Sequence, residues 1–161
     1  KLVHVLDGGF KKWKKENKTT NNKEVITKTS VYSCNENAEL VKNKKQIDEN
    51  INKNEFNVVD ARSRERFEGK VAEPRKGLRS GSIKNSFCLP FGELINDDHT
   101  FVSRDEIEEK FKSLNFDPNK NIVFSCGSGV TASVLALAYS LINDKYKPTI
   151  YDGSWSEYGR N

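Results

Sequence analysis

Residues 121–132 decide the fold, and they read Asn-Ile-Val-Phe-Ser-Cys-Gly-Ser-Gly-Val-Thr-Ala from Asn121 to Ala132. The first five residues are typical of a short buried strand, and the apolar run from Val130 to Ile142 is typical of a helix. Between strand and helix lies a tight loop, 126–129, that begins with a cysteine and contains two glycines. The repetition of strand and helix is typical of a parallel α/β protein.

The rest of the chain continues this alternation. Strands are predicted at 56–61, 82–89 and 149–151, and a helix is predicted from a capping box formed by Ser103 and Glu106. A second helix is predicted to begin at Asn35 and to carry Leu40, Val41, Ile47 and Ile51. Strands separated by helices imply a central parallel sheet with helices on both faces.

Composition excludes several classes of protein. The 161 residues include 27 Lys and Arg against 23 Asp and Glu, a net charge of +4, but the lysines are scattered rather than gathered into a basic block, so no nucleic-acid binding is expected. No apolar stretch is long enough to cross a bilayer, so no membrane association is expected. The three widely spaced cysteines form no CxxC or Cys/His pair, so we predict no metal and a reducing compartment, cytoplasmic or mitochondrial.

The two ends of the chain contain similar short units. Val3–Trp13 reads as a strand, an Asp-Gly turn and the start of a helix, and the same order returns at 149–158. The two copies are about one domain length apart, so residues 1–16 are predicted to close a preceding copy of the same domain. Residues 17–30, rich in Lys, Asn and Thr, are predicted to be a linker, and 31–161 the catalytic domain.

Cys126 is the predicted nucleophile. It follows a strand and precedes a helix, so the amides of residues 127–131 can converge on its sulfur while the helix N-terminus adds positive potential. Gly127 and Gly129 allow the backbone to fold around an anion. This environment favours a thiolate. Cys34 and Cys88 have no such setting and are predicted to be structural.

Three chemistries could use such a loop. A cysteine phosphatase requires an arginine six positions after its nucleophile, where this chain has Ala132. A dinucleotide-binding GxGxxA pattern is formally present at 127–132, but the acidic residue it needs about 20 positions later has only Asp144 or Asp152 as candidates. Sulfur transfer through a cysteine persulfide remains.

Three motifs together resemble the catalytic domain of the rhodanese superfamily, in particular that of the 3-mercaptopyruvate sulfurtransferases. They are Cys126-Gly-Ser-Gly-Val-Thr-Ala132, Val59-Asp-Ala-Arg62 with Arg66-Phe67 and Glu73-Pro-Arg75, and Tyr151-Asp-Gly-Ser-Trp155. The resemblance spans about 31–158. It implies two rhodanese domains, the second of them catalytic, so a preceding rhodanese domain is an expected partner. No cofactor is implied.

The resemblance also assigns roles at the site. Arg66 and Arg75 are expected to bind the carboxylate and carbonyl of mercaptopyruvate, which agrees with the fit of a guanidinium to a planar carboxylate. The loop residues Gly127, Gly129, Val130 and Thr131 are expected to contact the substrate.

A serine such as Ser128 is expected to act in a proton relay with a histidine and an aspartate of the first domain. Neither His4 nor His99 has the matching context. Outside the substrate contacts, Arg62 could brace the loop, and Asp60 is predicted to be structural, because an acid beside Cys126 would oppose its ionisation.

The expected reaction is therefore sulfur transfer from 3-mercaptopyruvate, a small-molecule donor. The sulfur would pass through a Cys126 persulfide to a thiol acceptor such as thioredoxin, or to cyanide, with release of pyruvate. Two alternatives remain open from the sequence. One is a thiosulfate:cyanide sulfurtransferase, although such relatives carry basic residues after the cysteine. The other is a non-catalytic rhodanese-like binding module.

Overall fold

Five short strands form one parallel sheet in the structure, a computed structural model that describes residues 3–160. The strands are β1 (Val41–Lys42), β2 (Asn57–Asp60), β3 (Phe87–Cys88), β4 (Ile122–Ser125) and β5 (Thr149–Tyr151). Their order across the sheet is β1-β5-β4-β2-β3, and every pairing is parallel. The predicted parallel α/β architecture is confirmed.

Helices cover both faces of this sheet. The α-helices of the described residues are α1 (Gly9–Lys15), α2 (Lys44–Lys53), α3 (Arg64–Phe67), α4 (Arg104–Lys112), α5 (Val130–Ile142) and α6 (Ser154–Tyr158), of which α2, α4, α5 and α6 pack on the sheet. On one face α4 and α5 pack against Val59 and Phe124. On the other face Ile47 of α2 and Trp155 of α6 pack against Val123, the strand residue that precedes Phe124 in the chain. This alternation is the two-residue period of a strand buried on both sides.

The cysteine segment folds as its sequence predicts. β4 is buried at every position, which its apolar residues allow without cost. α5 begins directly after Gly129, whose φ of 81° is in the left-handed region, and carries buried alanines and Leu135 against the sheet. The capping box of Ser103 and Glu106 is also present, at the start of α4.

Two predicted elements differ from the structure. The helix expected from Asn35 begins instead after Asn43, which forms a capping box with Gln46. Asn37 caps only a 3₁₀ turn that ends at Leu40. Val41 belongs to β1, because pairing with β5 satisfies its backbone. The strand expected at Val3–Leu6 is absent, since no other strand lies beside it to supply hydrogen bonds.

The N-terminal segment lies against the rest of the molecule near α5. The Asp7 carboxylate accepts a hydrogen bond from the Phe101 amide at 3.0 Å, and Lys12 pairs with Asp98 at 2.6 Å. Residues 17–30 contain no helix or strand and are exposed. Lys1, which opens the predicted closing element, lies outside the described residues, and the division of the chain into domains stays a prediction.

Within residues 3–160 no helix has the length and apolar character needed to span a membrane. The same residues contain no group of three or more His, Cys, Asp or Glu side chains placed to hold a metal ion.

Candidate active site

The carboxyl ends of β2 and β4 lie side by side at one edge of the sheet. Asp60 at the end of β2 is in register with Ser125 at the end of β4, so the chain segments that follow them meet there. One segment begins with Arg62 and the other with Cys126. In open α/β sheets this edge is where ligands bind.

Hydrogen-bond donors surround the Cys126 sulfur. The Ser128 amide lies 3.4 Å from Sγ, and the amides of Thr131 and Ala132, together with the Thr131 hydroxyl, also point to it. Burial alone raises the pKa of the Cys126 thiol, but these hydrogen bonds outweigh burial and lower the pKa below its usual value. The loop therefore stabilises a thiolate at the N-terminus of α5.

Helix α6 holds this loop from behind. The Ser154 hydroxyl is fully buried and accepts hydrogen bonds from the amides of Cys126 and Gly129, both at 3.1 Å. The amides of Trp155 and Ser156 donate to the carbonyls of Cys126 and Gly127, both at 2.9 Å. Because α6 takes the carbonyls on the outside of the loop, the amides of Ser128, Thr131 and Ala132 remain free to face the sulfur.

A glycine is required at position 129 because Asp152, the residue that follows β5, lies close to the cysteine loop. A Cβ at this position would lie 2.9 Å from the Asp152 carboxylate and 3.1 Å from the Asp152 carbonyl, and the positive φ would strain any other residue. Gly127 meets a different neighbour. A Cβ there would lie 3.3 Å from Nη2 of Arg66, so the absence of a side chain allows this guanidinium to approach the cysteine loop.

A buried ion network lies below the site. Arg62, whose side chain is 1% exposed, binds Asp60 through Nε and Nη2, donates from Nη1 to Glu73 at 2.8 Å, and donates to the Gly81 carbonyl at 2.8 Å. Its guanidinium also stacks on Trp155, 4.3 Å from the ring centroid. Arg62 thus braces the 73–81 loop rather than the cysteine loop, and Asp60, predicted to be structural, serves as its counter-ion.

Glu73 joins this network to the site. Its side chain is 1% exposed, and it accepts hydrogen bonds from Arg66 at 2.6 Å through Nη2 and at 3.2 Å through Nε. Burial raises the pKa of Glu73, but the hydrogen bond from Arg66 and the charge of Arg62 outweigh it and hold the pKa below its usual value. Two of the three guanidinium nitrogens of Arg66 are therefore fixed on Glu73.

Cys126 and the two predicted arginines line one cavity of about 250 Å³. Its other lining residues are Glu73, Pro74, Leu78, Gly127, Ser128, Val130 and Thr131. The structure thus brings together every predicted site residue except Gly129, which is buried within the loop itself. The cavity combines a thiolate with two guanidinium groups, an arrangement that can hold an anion against a nucleophile.

The remaining cysteines and histidines lie elsewhere. Cys34 is exposed in the N-terminal segment, and Cys88 is partly buried in β3. Burial raises the pKa of the Cys88 thiol to about 12, so it remains protonated near neutral pH. His4 and His99 line clefts beside the N-terminal segment rather than the cysteine cavity.

Sequence reasoning missed the roles of Ser154 and Glu73. Both residues lie within motifs quoted from the sequence. Nothing in the spacing shows that the Ser154 hydroxyl, at the start of α6, accepts hydrogen bonds from two amides of the cysteine loop. For Glu73 a signal exists. Glu73 lies two positions before Arg75 and seven positions after Arg66, in a charged stretch that must be partly buried, and this pattern indicates an ion pair.

Comparison with known proteins agrees with this geometry. Residues 43–161 match the family model of the rhodanese-like domain. The chain belongs to the rhodanese family. It is 36% identical to the 3-mercaptopyruvate sulfurtransferase of Mus musculus over 97% of its length, and 34% identical to the thiosulfate sulfurtransferase of Rattus norvegicus over 99%. Proteins named for either donor are thus similar to this rhodanese-like chain.

A solved structure shows the same fold. A 3-mercaptopyruvate sulfotransferase, SseA from Escherichia coli, has a TM-score of 0.74 and 30% sequence identity over 90% of the present chain. The chain covers 53% of SseA, and 52% and 54% of the mouse and rat proteins. It therefore spans about half the length of the relatives that it matches.

Proposed function

We propose that this rhodanese-like domain transfers sulfur from 3-mercaptopyruvate through a persulfide on Cys126. The observation that carries the proposal is the shared cavity, in which a thiol of lowered pKa faces Arg66 and Arg75. A thiolate supplies the nucleophile, and the guanidinium groups suit the carboxylate of a 2-oxo acid. Family membership supports sulfur transfer as the reaction class.

In the proposed step the Cys126 thiolate attacks the sulfur of mercaptopyruvate. A sulfur–sulfur bond forms, the carbon–sulfur bond breaks, and its electron pair moves onto carbon to give the enolate of pyruvate. The enolate takes up the proton released from the new persulfide, or an equivalent one from water, so pyruvate and a Cys126 persulfide anion are the products. The loop amides that stabilise the thiolate are placed to stabilise this anion as well. A relay through Ser128 stays a prediction.

The charge of the loop favours mercaptopyruvate over thiosulfate. Thiosulfate is a compact dianion, so basic residues beside the nucleophile would assist it, whereas mercaptopyruvate carries its charge on a carboxylate away from the sulfur. Positions 127 and 128 are uncharged, and neither cavity arginine belongs to the loop sequence.

Thiosulfate nevertheless remains the second candidate donor. The rat relative at 34% identity is a thiosulfate sulfurtransferase, and Arg66 lies close enough to Gly127 to offer positive charge near the sulfur. We also propose, from the family resemblance, that the acceptor is a thiol such as thioredoxin, or cyanide, that a preceding rhodanese domain takes part, and that the compartment is cytoplasmic or mitochondrial.

Intact mass spectrometry of the chain tests the proposal. Mercaptopyruvate should add one sulfur atom to the wild-type chain and none to a Cys126→Ser variant, while Cys34→Ser and Cys88→Ser variants should still gain it. Faster loading by thiosulfate would favour the second candidate. No gain from either donor would favour a non-catalytic binding module.

A further inference from the structure

A second groove opens beside the cysteine cavity. It has a volume of about 500 Å³ and is lined by Arg75, Lys76, Gly77, Leu78, Ser156 and Arg160. Arg75 and Leu78 line both the groove and the cavity. Ser156 donates its amide hydrogen to the Gly127 carbonyl, one residue from the nucleophile. The groove therefore adjoins the loop that would carry the persulfide.

The groove carries positive charge without counter-ions. Arg75, Lys76 and Arg160 are exposed, and within residues 3–160 none of them has a carboxylate at ion-pair distance. The neighbouring acids are engaged elsewhere.

Glu73 is buried between Arg62 and Arg66, and the Glu157 carboxylate accepts a hydrogen bond from the Tyr151 hydroxyl at 2.7 Å. Arg160 is held at the groove because its Nε donates to the Ser156 carbonyl at 2.8 Å. The three groove cations thus remain available to an anion from solution.

This charge matters for the second half of the proposed reaction. A persulfide on Cys126 is an anion, so a thiolate that also carries carboxylates would be repelled as it approaches. Cations beside the reacting sulfur offset that repulsion and raise the local concentration of an acidic acceptor. The groove's volume of about 500 Å³ falls in the range of small-molecule sites.

We propose that the groove binds the carboxylates of a small acidic thiol, and that this thiol accepts the sulfur from Cys126. The inference rests on the proposed function, because it names the acceptor class for the same persulfide. The acceptor carries at least two carboxylates. Lys76 and Arg160 contact them, whereas Arg75 is shared with the donor cavity.

The transfer step balances without a further reactant. The acceptor thiol loses its proton to solvent, and its thiolate attacks the outer sulfur of the persulfide. A bond forms between the acceptor sulfur and the outer sulfur, the bond between that outer sulfur and Sγ of Cys126 breaks, and its electron pair returns to Cys126 as a thiolate. The product is the acceptor persulfide, and the overall charge is unchanged.

Single-turnover kinetics of the full chain test the groove. The chain is loaded with sulfur by mercaptopyruvate, freed of excess reagent, and mixed with mercaptosuccinate, a dicarboxylate thiol, or with 2-mercaptoethanol, a neutral one. Loss of the Cys126 sulfur is followed by intact mass. The Lys76→Gln/Arg160→Gln variant should react with mercaptosuccinate about five- to tenfold more slowly than wild type, and with 2-mercaptoethanol within about twofold.

A charge-matched variant controls for net charge. Lys112→Gln/Lys147→Gln removes two exposed lysines near the end of α4 and just before β5, at the opposite edge of the sheet, and both thiols should react with it as with wild type. An equal loss of mercaptosuccinate rate in this control would overturn the groove as the site. An unchanged rate in the groove variant would overturn it as well.

The failure of the proposed donor is distinguishable from the failure of the groove. If mercaptopyruvate loads no sulfur, the donor assignment fails, and inorganic polysulfide is used to load Cys126 for the same comparison. If neither reagent loads Cys126, the acceptor inference falls together with the proposed function.

Discussion

Burial and hydrogen bonding have opposite effects on the pKa of Cys126. Burial removes water from the sulfur and favours the neutral thiol, whereas the donors of the loop and of α5 favour the thiolate, and the donors prevail. Among these donors the Thr131 hydroxyl belongs to a side chain, so it can be removed without changing the backbone that supplies the others.

Replacement of Thr131 by valine should raise the pKa of Cys126, because it removes a hydrogen bond to the charged form of the sulfur, and such bonds are worth about 1.5–3 kcal/mol. The pH profile of alkylation by iodoacetamide measures this pKa. In wild type the rate should begin to rise below the pH at which an ordinary thiol ionises, and in Thr131→Val the whole profile should move to higher pH.

The profile is best measured in a Cys34→Ser background, which removes the exposed thiol, since the high pKa of Cys88 keeps it unreactive near neutral pH. A Thr100→Val variant is a suitable control, because the hydroxyl of Thr100 donates to Asp98 rather than to the cysteine loop. A profile that Thr131→Val leaves in place would show that backbone amides alone set the pKa.

The two cavity arginines differ in what a substitution would remove. Arg66 is held by Glu73 through two nitrogens, so its replacement would disturb both the buried network and the cavity. Arg75 is exposed and lines the cavity without an ion pair to a described carboxylate. Arg75 is therefore the cleaner probe of substrate binding.

Arg75→Lys keeps the charge but loses the planar two-point contact with a carboxylate, so kcat/KM for mercaptopyruvate should fall by about ten- to a hundredfold. The rate of pyruvate release measures this loss. Alkylation of Cys126 by the neutral iodoacetamide should hardly change. Equal losses in both assays would mean that Arg75 acts on the cysteine loop rather than on the substrate.

Among the secondary-structure elements, α6 is a helix of five residues, and it fixes the loop through one hydroxyl and two amides. Ser154 also donates to the Tyr151 carbonyl at 2.8 Å and has a φ of 47°, in the left-handed region. A strained, fully buried serine with two hydrogen bonds to the cysteine loop and one to β5 indicates that the turn after β5 is built around the loop.

Ser154→Ala should lower the free energy of unfolding by about 2–5 kcal/mol, because the amides of Cys126 and Gly129 would be buried without an acceptor. Urea denaturation measures the change. Ser156→Ala is the matched control on the same helix. Its hydroxyl donates only to the Gly153 carbonyl at a partly buried position, so the loss should be about 1 kcal/mol or less. Equal losses of unfolding free energy in the two variants would show that Ser154 does not anchor the loop.

Sequence patterns that span only a few residues correctly predicted several helices and strands. The run of four buried apolar and small residues in β4, the glycine before α5 and the capping box of α4 each act over a few positions, and each appears as expected. Asn35 and Asn43 are both good capping residues, but only Asn43 is followed three positions later by a glutamine, Gln46, with which it forms a capping box. The place of Val41 in β1 could not be predicted locally, because its pairing with β5 depends on residues more than 100 positions away.

The same distinction holds for the site. Cys126 could be predicted from its place between a strand and a helix, whereas Arg66 and Arg75 are expected from the family resemblance, with which the fit of a guanidinium to a carboxylate agrees. Ser154 could not be predicted, since its role depends on β5 bringing the end of the chain beside β4. Glu73 lies between these cases, because its pairing is local but its burial depends on the loop that Arg62 braces.

At the scale of the whole molecule, the core and the site belong to one part of the chain. Both core clusters are built from residues between Ile47 and Tyr158. The segment before β1 contributes no buried apolar side chain within residues 3–40, and Val3, Val5, Leu6 and Phe10 are 57–86% exposed. The N-terminal segment is therefore attached to a domain that does not depend on it for its core.

Removal of residues 1–30 should leave the domain folded and lower its free energy of unfolding by no more than about 2 kcal/mol. The segment's polar contacts are partly exposed, at Lys12–Asp98 and at Asp7 with the Phe101 amide, and such pairs are worth about 0–1 kcal/mol each. Urea denaturation followed by fluorescence measures this. The truncated chain retains a single tryptophan, the buried Trp155, and full-length Trp13→Phe is the control with the same single reporter. A loss above about 4 kcal/mol, or a truncated chain without a cooperative transition, would show that the segment is an integral part of the domain rather than an attachment to it.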